Sequence, residues 1–109
     1  MTEIPFSEFE KLDIRIGRII SVEDVPKSDK LYKMKVSFGE EERTAIAGIK
    51  KYYSPAELID GKFVFILNLE KRKIMEMESE CMIFAAEDEE GGVVILQPEK
   101  YIIEGSKIR

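Results

Sequence analysis

Residues 12–38, LDIRIGRIISVEDVPKSDKLYKMKVSF, contain the alternation of apolar and polar side chains on which the fold prediction rests. From Leu12 onward, apolar side chains recur at every second position, which is the period of a β-strand with one buried face. The buried face of this first strand is predicted to comprise Leu12, Ile14, Ile16, Ile20 and Val22. Arg18 interrupts that face, and Gly17 beside it falls on the opposite, polar face. The pair predicts a bulge or a sharp coil in a long strand, which small barrels require.

Short strands continue along the rest of the chain. The turn residues 26–29 lead to a second alternating strand, in which Tyr32, Met34, Val36 and Phe38 point inward. Four further strands are predicted at 43–47, 62–69, 82–86 and 93–96. The segment 82–86 is apolar on both faces, which favours a strand buried within a closed barrel.

Two short helices are predicted as well. Pro5 suits the start of a helical turn at 5–11, and Phe6 and Phe9 lie one turn apart, where they can pack on the body of the protein. Residues 54–57, SPAE, supply the N-cap serine, the N1 proline and the N3 glutamate of a capping box.

Many short strands at a spacing of roughly 8–12 residues, with one short helix before the fourth strand, predict an all-β chain with short helices, an OB-fold closed β-barrel. We expect a single domain at 1–109, with the barrel at 9–96 and a C-terminal extension at 97–109. The extension retains several apolar side chains after the last strand, which indicates a partner surface. They are Tyr101, Ile102, Ile103 and Ile108.

The composition favours binding over catalysis. The 109 residues contain no histidine and one cysteine, Cys81, so the commonest general base and the commonest metal ligand are missing. The sequence has no Gly-rich phosphate loop, calcium loop or nucleophile elbow, and we expect no catalytic residue, metal or cofactor. A lone cysteine fits a reducing cytoplasm. No apolar run of about 18 residues predicts a membrane span.

The charge distribution is uneven. A net charge of −5 argues by itself against a nucleic-acid partner. Residues 27–51, however, hold seven cations and four acids, and residues 68–75 hold three cations and one acid. Residues 76–109 hold three cations and nine acids. The chain is therefore acidic overall but contains two basic segments.

The second basic segment begins the stretch NLEKRKIMEMESECM at 68–82. Asn68, the only asparagine, follows an apolar strand, and a cationic triplet at 71–73 comes next. The triplet is either a solvated turn balanced by the glutamates that follow it, or a ligand-binding edge. Asn68 and Ser79 are either ligand contacts or partners of the local backbone. Met82 is expected in the core more often than in contact with a ligand.

Three stretches resemble the tRNA-binding domain found with methionyl-tRNA synthetases. They are LDIRIGRIISVEDVPKSDKLYKMKVSFG at 12–39, AGIKKYYSPAELIDGK at 47–62, and NLEKRK with ESECM within 68–82. The resemblance covers about residues 9–109 and is closest in character to the free-standing archaeal beta subunits. It implies an OB fold and a non-catalytic, dimeric protein that presents tRNA to methionyl-tRNA synthetase in trans. The implied partners are tRNA, the catalytic subunit of the synthetase and a second copy of this chain.

The resemblance also implies a set of RNA-binding residues. They are Lys30, Lys50, Lys51, Asn68, Arg72, Lys73, Ser79 and Met82. Lysine and arginine would contact phosphates, whereas the amide and hydroxyl would bond a base edge or a 2′-hydroxyl. A tyrosine, at 32, 52 or 53, could offer a stacking plane.

The chain departs from the family pattern at three positions. Lys71 stands where relatives have proline, and Glu76 and Cys81 stand where relatives have glycine. Glycine would permit a positive φ in a tight turn or a close approach of the RNA backbone. Together with the acidic balance, these changes keep two alternatives open. One is a peptide-binding protein resembling the small export-chaperone relatives, and the other is an assembly module that docks the synthetase and leaves RNA contact to its partner.

Overall fold

Antiparallel strands make up most of the architecture, in a computed structural model that describes residues 1–109. The elements are α1 (Phe6–Glu10), β1 (Ile14–Asp24), β2 (Tyr32–Ser37), β3 (Glu42–Ala47), α2 (Pro55–Leu58), β4 (Lys62–Ile66), β5 (Arg72–Ile74), β6 (Met77–Ser79), β7 (Met82–Ile83), β8 (Ala85–Glu87) and β9 (Val93–Ile95). The longer helix, α1, has five residues. No helix has the length and apolar character needed to cross a membrane.

The principal sheet has the strand order β3-β2-β1-β4-β7, and its pairs are antiparallel. Its two edges meet, because the backbone N–H of Glu80, just before β7, donates to the carbonyl of Thr44 in β3 at 2.8 Å. A sheet whose edges pair in this way exposes few unpaired strand groups. The predicted OB-type barrel is confirmed.

The bulge in β1 is present, but it lies further along the strand than predicted. The register of β1 against β2 shifts between Ile19 and Ser21. Before the shift, Gly17 faces the barrel interior, where an added Cβ would lie 2.6 Å from core side chains. The predicted polar face is therefore the inner face in this part of β1. Ile14 and Ile16 are also buried, but they lie outside the main core cluster.

The core is one cluster of 15 buried residues inside the barrel. The four residues predicted to point inward from the second strand all belong to it. Phe38 and Phe65 meet edge to face with ring centroids 5.5 Å apart, a favoured aromatic geometry. Tyr32 is buried, and its hydroxyl donates to the carbonyl of Tyr53 at 2.7 Å, so its polar end is satisfied.

Two local predictions are wrong. The expected strand at 82–86 is divided, since β7 pairs with β4 whereas β8 pairs with β9, and Ala85 and Ala86 are exposed. Helix α1 forms where it was expected, but Phe6 does not pack on the body and remains 69% exposed.

The C-terminal segment pairs with the part of β1 that β2 leaves free. Gly105 N–H donates to the carbonyl of Ile16 at 2.8 Å, and Ile16 N–H donates to the carbonyl of Ser106 at 2.9 Å. Gly105 has φ of 91°, and a Cβ there would lie 2.3 Å from the carbonyl oxygen of Phe38. The close approach of this segment to β2 therefore requires glycine at 105.

Ion pairs hold the residues just before this segment. Arg18 in β1 bonds Glu104 at 3.0 Å and Asp60 at 3.2 Å, and Lys62 Nζ donates to the carbonyl of Ile102 at 2.7 Å. The hydrogen bond from Arg18 lowers the pKa of the Glu104 carboxyl below its ordinary value. Tyr101 lies beside Lys62, whose Nζ is 4.3 Å from the ring centroid. The tail is thus fixed to β1 and β4 by charges as well as by backbone bonds.

Candidate functional site

The segment between β4 and β7 folds as a β-hairpin, β5–β6, rather than as the solvated turn considered from the sequence. Arg72 pairs with Ser79, and Ile74 pairs with Met77. The two-residue loop at 75–76 has both residues at positive φ, 51° and 68°. Those values match a type I′ turn, whose twist suits a hairpin. The sequence did not reveal this hairpin because its loop lacks the asparagine and glycine that type I′ turns prefer.

Side chains at the end of β6 attach the hairpin to β3. Ser79 Oγ accepts from the N–H of Ile46 at 3.0 Å and donates to the carbonyl of Cys81 at 3.0 Å. The carboxylate of Glu80 accepts from the N–H of Thr44 at 2.8 Å. Two N–H groups on the edge of β3 are therefore satisfied by side chains instead of by a neighbouring strand. The Ser79 hydroxyl is engaged with the protein backbone.

Arg43 holds both ends of the same segment, although no sequence pattern distinguished it from other surface cations. Its Nη1 donates to the carbonyls of Leu67 at 2.8 Å and Glu80 at 3.2 Å. The guanidinium is planar and presents several donors in fixed directions. Arg43 therefore fixes where the hairpin leaves and rejoins the barrel.

A groove opens between this hairpin and the rest of the barrel. It has a volume of about 510 Å³. It is lined by Leu31, Ile46, Ala47, Gly48, Ile49, Tyr52, Arg72, Ile74, Met82, Ile83, Ala85, Glu87 and Val93. A smaller pocket of about 50 Å³ adjoins it and shares four lining residues with it, Ile46, Arg72, Ile74 and Met82. Met82 is 40% exposed at this site, so the expectation that it lies in the core is wrong.

Cations from two loops stand beside one end of the groove. The N–H of Lys50 donates to the carbonyl of Lys30 at 3.1 Å, which joins the two loops. Lys30 and Lys51 are exposed and form no ion pair, whereas Lys50 Nζ pairs with Asp24 at 3.1 Å. Lys30 and Lys51 thus present open charges next to Leu31 and Tyr52, which line the groove.

The two faces of the β5–β6 hairpin differ in charge. Arg72 and Ile74 line the groove, and alternation along the strand places Lys73 on the opposite face. Lys73 is paired with Glu78 in the strand register, and Lys71 forms an ion pair with Glu78 at 3.5 Å. Of the cationic triplet, only Arg72 belongs to the groove.

Asn68 lies apart from the groove. Its Oδ1 accepts from the N–H of Asp13 at 2.8 Å, and its Nδ2 donates to the carbonyl of Lys11 at 2.6 Å. The side chain therefore joins the end of β4 to the connection between α1 and β1. Both ends of its amide are bonded to backbone groups, so the side chain of Asn68 stabilises the fold.

The outer face of β2 contributes two cations that are not among the RNA-binding residues implied by the family resemblance. Lys33 lies opposite Ile46 of β3, and Lys35 lies opposite Thr44. Cross-strand partners project to the same side of a sheet, and Ile46 lines the groove. Lys33 and Lys35 are exposed, so they extend the basic surface away from the groove. The alternation of these lysines with the inward residues of β2 was the sequence feature that could have indicated this basic surface.

Of the three tyrosines considered for stacking, only Tyr52 is available. Tyr32 is buried, and the hydroxyl of Tyr53 accepts from the N–H of Ile95 at 3.0 Å. Tyr52 is 46% exposed on the groove wall. Cys81, beneath the site, is buried, and burial raises the pKa of its thiol to about 12. The thiol is therefore neutral near pH 7 and acts as a small apolar group.

Comparisons with known proteins agree with this architecture. A family model described as "Putative tRNA binding domain" matches residues 14–107. The methionine–tRNA ligase of Pyrococcus horikoshii is 46% identical over 109 residues, which are 100% of this chain and 15% of the ligase. The chain thus spans a small part of the length of that relative.

Two solved structures are similar over the full chain. A MetRS-related protein from Pyrococcus horikoshii has a TM-score of 0.94 at 33% identity, over 100% of both chains. The chaperone CsaA from Bacillus anthracis has a TM-score of 0.88 at 30% identity, over 99% of this chain and 100% of that one. By its match over residues 14–107 and its similarity to these proteins, the chain belongs to the tRNA-binding domain family.

Proposed function

We propose that this chain is a non-catalytic tRNA-binding protein that assists methionyl-tRNA synthetase in trans, working in the cytoplasm as a homodimer. The observation that carries the proposal is the similarity to the MetRS-related protein. That similarity has a TM-score of 0.94 at 33% sequence identity. This backbone similarity to a protein described as related to MetRS supports a role beside the synthetase.

The cations around the groove supply the affinity in this proposal. Because the net charge is −5, attraction to RNA has to come from a local surface rather than from the whole molecule. Lys30, Lys51 and Arg72 are exposed and form no ion pairs, and they are the primary phosphate contacts. Asn68 and Ser79 act as positioning residues, since their side chains are bonded to the backbone.

Adjacent cations on opposite faces of the hairpin allow a direct test. Arg72→Ala is expected to weaken tRNA binding in a gel shift and to reduce the slope of log K against log salt by about 0.7–0.9, the value for one lost phosphate contact. Lys73→Ala removes the same charge from the face that points away from the groove, and we expect little change in either quantity. If the two substitutions weaken binding equally, the RNA-binding site lies elsewhere. If the retention of tRNA does not depend on salt concentration, the electrostatic basis of the proposal is wrong.

The role in trans is tested by repeating the salt-titrated gel shift with and without the catalytic chain of methionyl-tRNA synthetase. We expect a shift by this protein alone and a slower-moving ternary complex when both proteins are present. Co-purification with the synthetase without any tRNA shift by this protein alone would instead identify an assembly module.

A second candidate function is the binding of unfolded polypeptide. It is favoured by the similarity to the chaperone CsaA and by the apolar lining of the groove. Reduced, carboxymethylated α-lactalbumin serves as the probe. Binding of this polypeptide under conditions in which tRNA is not retained would favour the second candidate over the first.

A further inference from the structure

The apolar lining of the groove is unusual for a surface that holds a polyanion. Ten of the thirteen lining residues are hydrophobic, whereas nucleic-acid interfaces are more polar and more basic than other interfaces. A phosphate placed against the apolar part of these walls, away from Arg72, would lose its hydration without gaining hydrogen bonds. If the protein binds tRNA as proposed, the part of the RNA that enters the groove is therefore not its backbone.

Tyr52 is the feature of the wall that suits a nucleobase. Its ring is exposed in the groove, and its hydroxyl makes no hydrogen bond within the protein, in contrast to those of Tyr32 and Tyr53. An aromatic face beside a cationic surface is the arrangement on which unpaired bases stack. Met82 adds a polarizable side chain to the same lining.

The charges at the groove match the phosphates on either side of such a base. Arg72 is part of the lining at the hairpin, and Lys51 directly precedes Tyr52 in the other wall. Lys30 is held beside this loop by the backbone bond to Lys50. A nucleotide inserted as a base has a phosphate on each side, so Arg72 in the lining and Lys51, which precedes Tyr52 in the chain, each have a phosphate to bind. An apolar peptide side chain would use the same lining but would leave these charges without partners.

We infer that the groove receives one unpaired nucleobase of the bound tRNA, stacked on Tyr52, with its flanking phosphates at Arg72 and Lys51. The contact accepts any base. Apart from the ends of Arg72, Glu87 and Tyr52, the lining side chains carry no hydrogen-bonding group that could read a base edge. The inference rests on the proposed function, because it assigns one segment of the tRNA to this groove.

The test uses two RNA hairpins, one fully paired and one with a single-stranded 3′ extension that carries 2-aminopurine. The wild-type protein is expected to bind the extended hairpin more tightly and to quench its fluorescence by stacking. Tyr52→Ala should weaken binding of the extended hairpin on the order of tenfold and abolish the fluorescence quenching. Its affinity for the paired hairpin should be unchanged. Tyr52→Phe keeps the ring and should behave as the wild type. Changing the bases of the extension should have little effect on affinity.

Other outcomes separate this inference from the proposed function. Salt-dependent tRNA binding by a wild-type protein that does not distinguish the two hairpins would overturn the inference and leave the proposed function standing. A protein that binds no RNA would overturn both. If Tyr52→Ala loses only the binding of carboxymethylated α-lactalbumin and keeps its RNA affinity, the groove is a peptide site and the inference is overturned.

Discussion

Glu76 occupies a backbone conformation that favours glycine. With Met75 it forms the loop of the β5–β6 hairpin, and both residues have positive φ. A side chain in the left-handed region costs about 1 kcal/mol or more, and type I′ loops are usually built from asparagine and glycine for this reason. The family resemblance had indicated glycine at this position, and the structure gives the physical reason. The strain lies in the segment that carries Arg72.

Replacing Glu76 with glycine is expected to stabilise the protein. The relief of strain is partly offset by the greater freedom of glycine in the unfolded chain, which leaves a gain of about 0.5–1 kcal/mol and a rise in Tm of about 4 °C in thermal unfolding. Glu76→Ala removes the same charge but keeps a Cβ in the left-handed region, so it should give no comparable gain. An equal gain from alanine would mean that charge repulsion, and not backbone strain, is the cause.

Asn68 and Ser79 illustrate which part of the site the sequence could indicate. Both were recognised as polar residues in need of partners, and both have them. The partners, however, are backbone groups of Asp13 and Ile46, which are distant in the chain. Without the barrel closure that brings those groups near, a ligand contact and a backbone bond are equally compatible with the sequence. The same closure explains Arg43, whose acceptors are carbonyls of two other segments.

Local sequence patterns predicted the strands and the helix start that depend on residues close together in the chain. The period of two located the main strands, and the capping box of α2 is confirmed by the bond from the N–H of Ser54 to the Glu57 carboxylate at 2.8 Å. The β5–β6 hairpin escaped prediction because its turn is imposed by contacts with β3 against the preferences of its own loop residues. The strand predicted at 82–86 failed for a related reason, since its second half leaves the principal sheet to pair with β9.

The C-terminal segment is an element whose attachment depends on pH. The pKa of Glu104 is lowered by its hydrogen bond from Arg18. A carboxyl whose pKa is lowered by folding stabilises the folded protein fully at any pH above the pKa of the same group in the unfolded chain. This stabilisation is lost as the pH falls through the pKa of the group in the folded protein. We therefore expect the tail to loosen as the pH falls below about 4.5, the ordinary pKa of this group. Hydrogen exchange at the amides of Gly105 and Ile108, which bond β1, reports this opening.

Two substitutions in the tail isolate the cause. Glu104→Gln should raise the exchange of these amides at neutral pH and flatten its dependence on pH in the acidic range. Glu99→Gln serves as the control, because Glu99 is exposed and forms no ion pair, and it should leave the exchange profile as in the wild type. A steep acidic dependence that persists in Glu104→Gln would assign the effect to another carboxyl.

Several large apolar side chains of the C-terminal segment are exposed on the surface of the protein. Tyr101 is 82% and Ile103 is 63% exposed, although the residues that follow them are bonded to β1. Adjacent exposed apolar residues on an ordered backbone indicate an interface. The proposed homodimer places that interface within residues 90–109, apart from the cations of the groove.

Ile103→Glu is expected to convert the dimer into a monomer without unfolding it, because a charge would have to be buried in the interface while the barrel core is untouched. Sedimentation equilibrium should give twice the chain mass for the wild type and the single-chain mass for this variant. If two sites of the dimer contact one tRNA, the monomer loses half of the phosphate contacts, and the slope of log K against log salt should fall by about half. Ile59→Glu, at an exposed position outside this segment, should change neither quantity. A variant that stays dimeric would locate the interface elsewhere, and a monomer that keeps the full slope would mean that each tRNA contacts only one subunit.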